Sequence, residues 1–220
     1  MNKKLENLKK HKKKSILAKS ILSHIENNKK EYLMCIVLFF LGIILSIIFI
    51  NNCNENQISE INEYIKKLTT NLKNIEDIDY LTLFFNSIRL NIVIIVIVFI
   101  SSLIVIGKPI IYLFIILKGF ILGYTLSCIT STLGISNGLI TSFCGLFIHN
   151  MIFIPIFFAL CIRGIGVCSN IIRDKRMVKI ELIRYIIFLL LILLLFTIVS
   201  LIEVFVSYGL MIYILQYLNI

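Results

Sequence analysis

The sequence predicts an all-α protein, a bundle of about five transmembrane helices with no catalytic domain outside the lipid bilayer. Of its 220 residues, 59% are hydrophobic, and the mean hydropathy is +0.97. Soluble domains are about 45–50% apolar, so this composition indicates a protein that lies in lipid. Lipid offers no hydrogen bonds to the backbone, and helices are therefore the expected spanning elements.

Five apolar stretches define the predicted spans. A helix needs about 20 residues to cross a hydrocarbon core about 30 Å thick, and the stretches of that length are residues 32–50, 88–106, 110–130, 139–162 and 185–203. Residues 107–109, Gly-Lys-Pro, form a turn between the second and third spans, because proline ends one helical pattern and begins another. Turn-forming residues at 133–138 separate the third span from the fourth.

Polar or amphipathic segments precede and connect these spans. Residues 1–31 carry ten lysines against three glutamates, which favours either contact with an anionic leaflet or a simple topogenic flank. Residues 51–87 hold apolar positions at three- and four-residue spacing, which predicts an amphipathic helix. Residues 163–184 form a basic loop, and residues 204–220 form an apolar tail.

The positions of lysine and arginine predict the orientation of the bundle. Short loops rich in these residues stay in the cytoplasm. With the N-terminus inside, seventeen basic residues lie on the cytoplasmic side and four lie outside. We therefore expect a cytoplasmic N-terminus, with the 51–87 helix and the C-terminal tail outside. The net charge of +10 then reflects contact with an anionic inner leaflet, and no nucleic-acid partner is expected.

The sequence lacks the common catalytic and metal-binding patterns. It contains no H-E-x-x-H, P-loop or G-x-G-x-x-G motif, and its three histidines are scattered. The six cysteines form no C-x-x-C pair and lie mostly within or at the ends of apolar runs. We interpret them as small buried residues and not as zinc ligands or a disulfide framework. We expect a protein that is not an enzyme and needs no cofactor or metal.

Polar residues within the predicted spans are the candidate functional residues. Lys118 lies in the third span, and His149 and Asn150 lie at a similar depth in the fourth. A charge in mid-membrane costs about 2.5–3.5 kcal/mol on insertion scales, so such a residue is a functional candidate. Pro155 removes a backbone donor and can free a carbonyl. We expect Lys118 to face His149, Asn150 or that carbonyl; alternatively, its ammonium extends to the inner headgroups.

Two further features concern packing and the end of the fifth span. Gly119 and Gly123 form a G-x-x-x-G pattern, which lets two helix backbones approach closely. With Gly138 and Gly145, this pattern predicts tight packing of the third span against the fourth. Glu203 ends the fifth span, where it is either solvated at the interface or anchors the tail.

Several blocks of the sequence resemble the stage II sporulation protein M family. They are Lys118-Gly119-Phe120-Ile121-Leu122-Gly123-Tyr124-Thr125, Leu133-Gly134-x-x-Asn137-Gly138, His149-Asn150-x-x-x-x-Pro155 and Ile202-Glu203-Val204-Phe205-Val206-Ser207. The order of the blocks, the basic N-terminal segment and the chain length fit the same family. By position, the resemblance marks Lys118, Gly119, Gly123, Asn150, Pro155 and Glu203.

The resemblance implies a role in endospore formation, when the mother-cell membrane engulfs the forespore while septal peptidoglycan is thinned. It implies a non-catalytic scaffold in the plasma membrane, at the mother-cell septal membrane. This scaffold would recruit two peptidoglycan-degrading partners, sporulation proteins D and P. The segments 51–87 and 204–220 are the expected contact surfaces, because they are the sizeable outer segments. The oligomeric state is left open.

The sequence departs from the family pattern at two positions. Phe153 stands four residues after the histidine, where relatives often carry an acidic residue, and Tyr208 replaces an expected proline. The first change removes a polar partner from the fourth span and puts a shared transport-like role in doubt. A transporter or permease subunit that uses Lys118, His149 and the Pro155 kink is the alternative. An odd number of spans and no detectable inverted repeat count against it.

Overall fold

The computed structural model describes residue 26 and residues 28–73, 79–173 and 178–217, so the first 25 residues of the predicted basic segment lie outside the described residues. Its helices are α1 Lys29–Asn51, α2 Glu55–Lys73, α3 Tyr80–Leu103, α4 Gly107–Leu133, α5 Ile135–Ser142, α6 Ile148–Arg173, α7 Val178–Ile202 and α8 Tyr208–Tyr217. A first π-helical segment, Phe143–Phe147, joins α5 to α6, and a second, Glu203–Ser207, joins α7 to α8.

The described part of the chain is all-helical, as predicted, and five of its helices are long and apolar enough to cross a membrane. The last two run through the π-helical segments: Ile135–Ile172 has 38 residues and Val178–Tyr217 has 40. At 1.5 Å per residue, they measure about 57 and 60 Å, nearly twice the hydrocarbon thickness. The residues predicted as the basic loop and as the apolar tail therefore largely extend the fourth and fifth helices.

The direction of each long helix follows from its contacts. Tyr112 in α4 donates a hydrogen bond of 2.7 Å to Glu31 at the start of α1. The rings of Phe49 and Tyr124 meet near the other end of α1, at 6.3 Å, so α1 and α4 are parallel. Helix α6 is antiparallel to α4, because Gly107 lies beside Cys168. We call the end of the bundle where α1 begins the Lys29 end, and the end where α4 stops the Leu133 end.

Glycines bring α4 into backbone contact with α1. A Cβ atom at Gly119 would lie 2.1 Å from the carbonyl oxygen of Phe39, and one at Gly123 would lie 2.2 Å from Ser46 Oγ. The prediction that this G-x-x-x-G packs against the fourth span is therefore wrong. The pattern identifies a surface that a second backbone can approach, but it carries no information about which backbone that is.

The prediction of close packing does hold at the start of the fourth long helix. A Cβ atom at Gly138 would lie 2.6 Å from the Cα of Thr130 in α4. Gly134, with φ +81°, separates the two helices and adopts a backbone conformation that favours glycine. The fourth long helix therefore turns back directly against the end of α4.

Aromatic side chains fill the centre of the bundle among α3, α4, α6 and α7. The ring of Phe153 stacks on Phe157 at 5.8 Å and on Phe196 of α7 at 5.2 Å. Phe157 and Phe196 are fully buried, and Phe153 is 4% exposed. This aromatic group fixes the position of α6 relative to α7, and the polar residues described below lie directly beside it.

Candidate functional site

The two π-helical segments lie beside the polar residues of the fourth and fifth long helices. His149 follows the first segment by two residues, and Glu203 begins the second. The two segments contact each other. A π-helical turn adds one residue to a turn of helix and is frequent at functional sites. The local geometry of both helices thus brings His149 and Glu203 to the same place in the bundle.

A chain of hydrogen bonds from α3 ends on the carboxylate of Glu203. Ser87 Oγ donates to Glu203 Oε2, the hydroxyls of Ser87 and Ser200 share a bond of 2.9 Å, and Asn91 Nδ2 donates to Ser200 Oγ at 2.9 Å. A hydroxyl has a single proton to donate. Since Ser87 uses its proton on the carboxylate, Ser200 donates to Ser87. All three of these uncharged residues, Ser87, Asn91 and Ser200, are buried. Their hydrogen bonds connect α3 with α7.

Lys118 completes the polar site from α4. Its Nζ lies 4.9 Å from the centroid of the Phe153 ring, and the ring of His149 stacks on the same phenylalanine at 5.5 Å. A cation above a ring face is attracted to the electron density of the ring. Lys118 also interacts electrostatically with Glu203 and His149. Three helices thus supply one ammonium, one carboxylate and one imidazole around Phe153.

The position of Lys118 answers the question left open by the sequence. Ile111 opposes Gly164 across the contact between α4 and α6. These helices are antiparallel, so the backbone of Lys118 lies level with residue 157. Phe153 is one turn closer to the Leu133 end. The ammonium therefore does not extend to the headgroups at the Lys29 end. It lies inside the bundle, on the side of His149.

Phe153 has a different role from the one its sequence position suggested. The resemblance described above implies the loss of a polar partner there. In the structure the carboxylate comes from Glu203 on another helix, and the face of the Phe153 ring receives the cation. The replacement therefore leaves Lys118 with both an aromatic and an acidic neighbour.

Asn150 and Pro155 lie outside this site. Asn150 Nδ2 donates to the carbonyl of Leu146 at 2.8 Å, within its own helix. Its side chain lines an apolar groove of about 250 Å³ between α4 and the fourth long helix. Pro155 is exposed, and α6 continues through it. Successive residues point about 100° apart around a helix, so His149 and Asn150 face different neighbours.

Sequence reasoning missed Ser87, Asn91 and Ser200. Ser87 and Asn91 are four residues apart and therefore share one face of α3. Ser200 precedes Glu203 by three residues and shares its face of the fifth long helix. The signal was thus present as two pairs of polar residues at helical spacing. Serine and asparagine are ordinary in membrane helices, however, and only the contact between α3 and α7 identifies them as a group.

A second feature lies at the Leu133 end, where the predicted amphipathic helix is α2. It packs against α4 and α8. Thr132 donates a hydrogen bond of 2.8 Å to Asn62 Oδ1, and Leu72 packs against the buried side chains of Leu133 and Leu215. One face of α2 is therefore fixed to the bundle by a hydrogen bond and by apolar packing.

The opposite face of α2 is exposed and polar. Its stripe consists of Glu60, Glu63, Tyr64, Lys67 and Asn71. Lys67 Nζ lies 2.7 Å from Glu63 Oε1, and this ammonium holds the pKa of the Glu63 carboxyl below its usual value. Both side chains are about two-thirds exposed, so the ion pair contributes little to stability. The stripe is available to a partner.

The candidate site does not resemble a metal centre. Within the described ranges, no group of three or more His, Cys, Asp or Glu side chains could hold a metal ion. Glu203 and His149 form an acid–base pair with a lysine beside them, and a lysine ammonium would repel a bound cation.

Comparison with known sequences gives one match. The sequence model of the family described as stage II sporulation protein M matches residues 35–208. The matched part begins within α1, ends at the first residue of α8, and contains Lys118, His149 and Glu203. No curated protein and no solved structure matches the chain.

Proposed function

The chain belongs to the stage II sporulation protein M family, and from this premise we propose that it is a non-catalytic membrane scaffold for engulfment during endospore formation. In this role it localises peptidoglycan-degrading partners at the mother-cell septal membrane. The resemblance to the family nominates sporulation proteins D and P as those partners. The family is not known as a catalytic one. Because this chain belongs to it, the chain is a membrane protein of sporulation.

One observation carries the scaffold role, namely the way in which α2 is held. It is the long polar helix of the described residues, with nineteen residues between the first two long apolar helices. Asn62 and Leu72 fix one face to the bundle. A fixed helix with an exposed charged stripe is a preorganised surface for a partner, since little conformational freedom remains to be lost on binding.

The proposed orientation places α2 and α8 outside the cell and the N-terminus in the cytoplasm. It is supported by the described basic residues at the Lys29 end, which include Lys29, Lys30, Lys108, Lys179 and Arg184. The basic residues toward the Leu133 end are Lys66, Lys67, Lys73 and Arg89. This asymmetry follows the rule that basic residues remain cytoplasmic. A partner that acts on septal peptidoglycan would then meet α2 on its own side of the membrane.

The experiment that tests this role changes the exposed stripe of α2 and leaves its docked face intact. We expect the triple variant Glu60→Lys, Tyr64→Ala, Lys67→Glu to lose co-purification of sporulation proteins D and P by about tenfold or more, because a few anchor residues dominate most interfaces. The matched control is Thr70→Ala, an exposed change on the same helix. Retained co-purification in the triple variant would contradict the assignment of this surface.

Microscopy of the native host tests the cellular role. A deletion strain stained with a membrane dye during starvation should form septa whose mother-cell membrane fails to migrate around the forespore. The triple variant of α2 should reproduce that defect at normal protein abundance. Normal engulfment in the deletion strain would refute the scaffold proposal.

The polar site around Glu203 favours one second candidate, a transporter or permease subunit. Ionisable residues inside membrane bundles often mark solute or proton pathways. The two candidates predict opposite results for Glu203→Gln. Partners should co-purify normally in this variant under either candidate, but a transporter should show a solute-dependent defect and a scaffold should show none. A defect seen only at limiting solute would favour transport.

A further inference from the structure

The region around the π-helical segments holds several polar atoms without partners. Among the described residues, four buried side-chain atoms lack a hydrogen bond, namely Ser142 Oγ, His149 Nδ1, Tyr185 Oη and Ser207 Oγ. Three of the four lie in or beside a π-helical segment. Buried polar atoms are nearly always paired, so each exception requires a cause. At His149 the cause can be derived from its neighbours.

The nitrogen atom His149 Nδ1 faces a carboxylate oxygen without bonding to it. It lies 3.7 Å from Glu203 Oε2, which is beyond hydrogen-bond distance. The imidazole also interacts with the backbone carbonyl of Val199. A neutral imidazole has one N–H group. When the other ring nitrogen, Nε2, donates to Val199, Nδ1 is an acceptor and faces a second acceptor.

We propose that His149 and Glu203 form a proton-binding site within the membrane-spanning bundle. A proton from water binds Nδ1 and converts the imidazole to an imidazolium; no other covalent bond forms or breaks. The two facing acceptors then become a donor and an acceptor. Charge-assisted hydrogen bonds of this kind measure about 2.7–2.9 Å. Proton binding therefore draws the two side chains together by about 1 Å, and Ser87 remains a donor to the carboxylate.

The pair is partly exposed, and it binds a single proton. The side chain of Glu203 is 42% exposed and that of His149 is 16% exposed, so the pair lies at the edge of the packed bundle and is not enclosed by it. The elements packed around the pair carry other ionisable residues, which include Lys118 on α4, Cys144 in the first π-helical segment, Tyr80 and Arg89 on α3, and Tyr208 on α8. Lys118 interacts electrostatically with both members, and its charge opposes a second cation. The site therefore takes one proton.

The chain offers a direct test, because it contains three histidines and two of them lie in the N-terminal segment. In a His11→Gln, His24→Gln background, nitrogen-15 histidine NMR of the full chain in lipid vesicles reports on His149 alone. We expect the neutral signal to convert reversibly to imidazolium as the pH is lowered from 8 to 5. With Glu203→Gln, the ratio of imidazolium to neutral form at a given pH should fall about tenfold or more, because the carboxylate stabilises the charged ring.

Two further variants separate the pair from its surroundings. Glu181→Gln removes a carboxylate that lies 2.9 Å from Arg163 at the Lys29 end, and it should leave the His149 signal unchanged. Ser87→Ala keeps the carboxylate but removes its donor, so the imidazolium fraction should rise. This variant tests the proposal even where Glu203→Gln fails to fold.

The proposal would be overturned by a His149 signal that does not change between pH 8 and 5. It would also be overturned by a titration that Glu203→Gln leaves unaltered, or by a lower imidazolium fraction in Ser87→Ala. The site does not depend on the scaffold role. Retained co-purification in the α2 variant and an unaltered titration in Glu203→Gln are separate results, and each refutes only its own proposal.

Discussion

Replacing Gly119 by alanine tests the contact between α1 and α4 most directly. The new Cβ atom would lie 2.1 Å from the carbonyl oxygen of Phe39, whereas ordinary contacts between carbon and a carbonyl oxygen measure about 3.3 Å. The obstacle is backbone and cannot rotate away, so the two helices must separate by about 1.2 Å. Such overpacking typically costs about 1–3 kcal/mol, and a clash with backbone belongs at the upper end of that range.

Gly166→Ala is the matched control, because it lies in α6 and a Cβ atom there would meet nothing within 4 Å. Alanine is favoured over glycine in a helix by about 1 kcal/mol. The same gain applies to Gly119→Ala and leaves a net cost of about 2 kcal/mol. The two variants should therefore differ by about 3 kcal/mol, which is a factor of about a hundred in the folding equilibrium.

Denaturant titration of the purified protein in micelles, followed by circular dichroism and by protease resistance, measures this difference. The double variant Gly42→Ala, Gly119→Ala should cost less than the sum of its single changes, since Gly42 faces the same helix pair and the first substitution has already separated it. Equal midpoints for Gly119→Ala and Gly166→Ala would show that α1 and α4 do not meet at these glycines.

Two further predictions concern charged residues. Lys118→Leu removes the cation above Phe153 and beside the Glu203 carboxylate. We expect a loss of about 1–2 kcal/mol in unfolding free energy, which Lys118→Arg should largely avoid. Equal stability of the leucine variant would contradict an interior lysine. Asp79 caps α3 by accepting hydrogen bonds from Thr82, which lowers the pKa of its carboxyl. The contribution of this cap is present above the unfolded pKa of about 3.9 and is lost as the pH falls through the lower folded value. The protection factor for hydrogen exchange, which corrects for the intrinsic rate at each pH, should therefore fall at acid pH in the first turn of α3 of the parent chain. In Asp79→Ala it should be low at every pH.

Much of the fold could be predicted from the sequence, because lipid restricts the choice of backbone structure. Five apolar stretches of sufficient length predict five spanning helices, and the structure has five helices that fit. The glycine pattern at Gly119 and Gly123 correctly predicts a close backbone contact. It fails to identify the partner, since periodicity describes one surface and contains nothing about the helix that covers it.

Part of the candidate site could also be predicted, because lipid restricts polar side chains as well as the backbone. Lys118, His149 and Glu203 are conspicuous because ionisable side chains are costly in lipid. Ser87, Asn91 and Ser200 escape notice because their cost is small enough for them to occur without a role. The π-helical segments could not be foreseen, since the i to i+5 pattern has no composition of its own. They become apparent only in the structure, where the fourth and fifth long helices bring His149 and Glu203 together.

The polar site and the α2 surface share the fifth long helix, but different contacts hold them. In lipid, helices associate through packing and hydrogen bonds and without a hydrophobic driving force. The hydrogen-bond chain that ends on Glu203 holds the fifth long helix to α3. Beyond Glu203 that helix continues as α8, whose Leu215 lies in the cluster beneath α2. Glu203 and Leu215 are separated by about 12 residues of helix, or 18 Å. Because Leu215 is held by apolar contacts of its own, Glu203→Gln should weaken the contact with α3 and leave the surface that we assign to the partner in place.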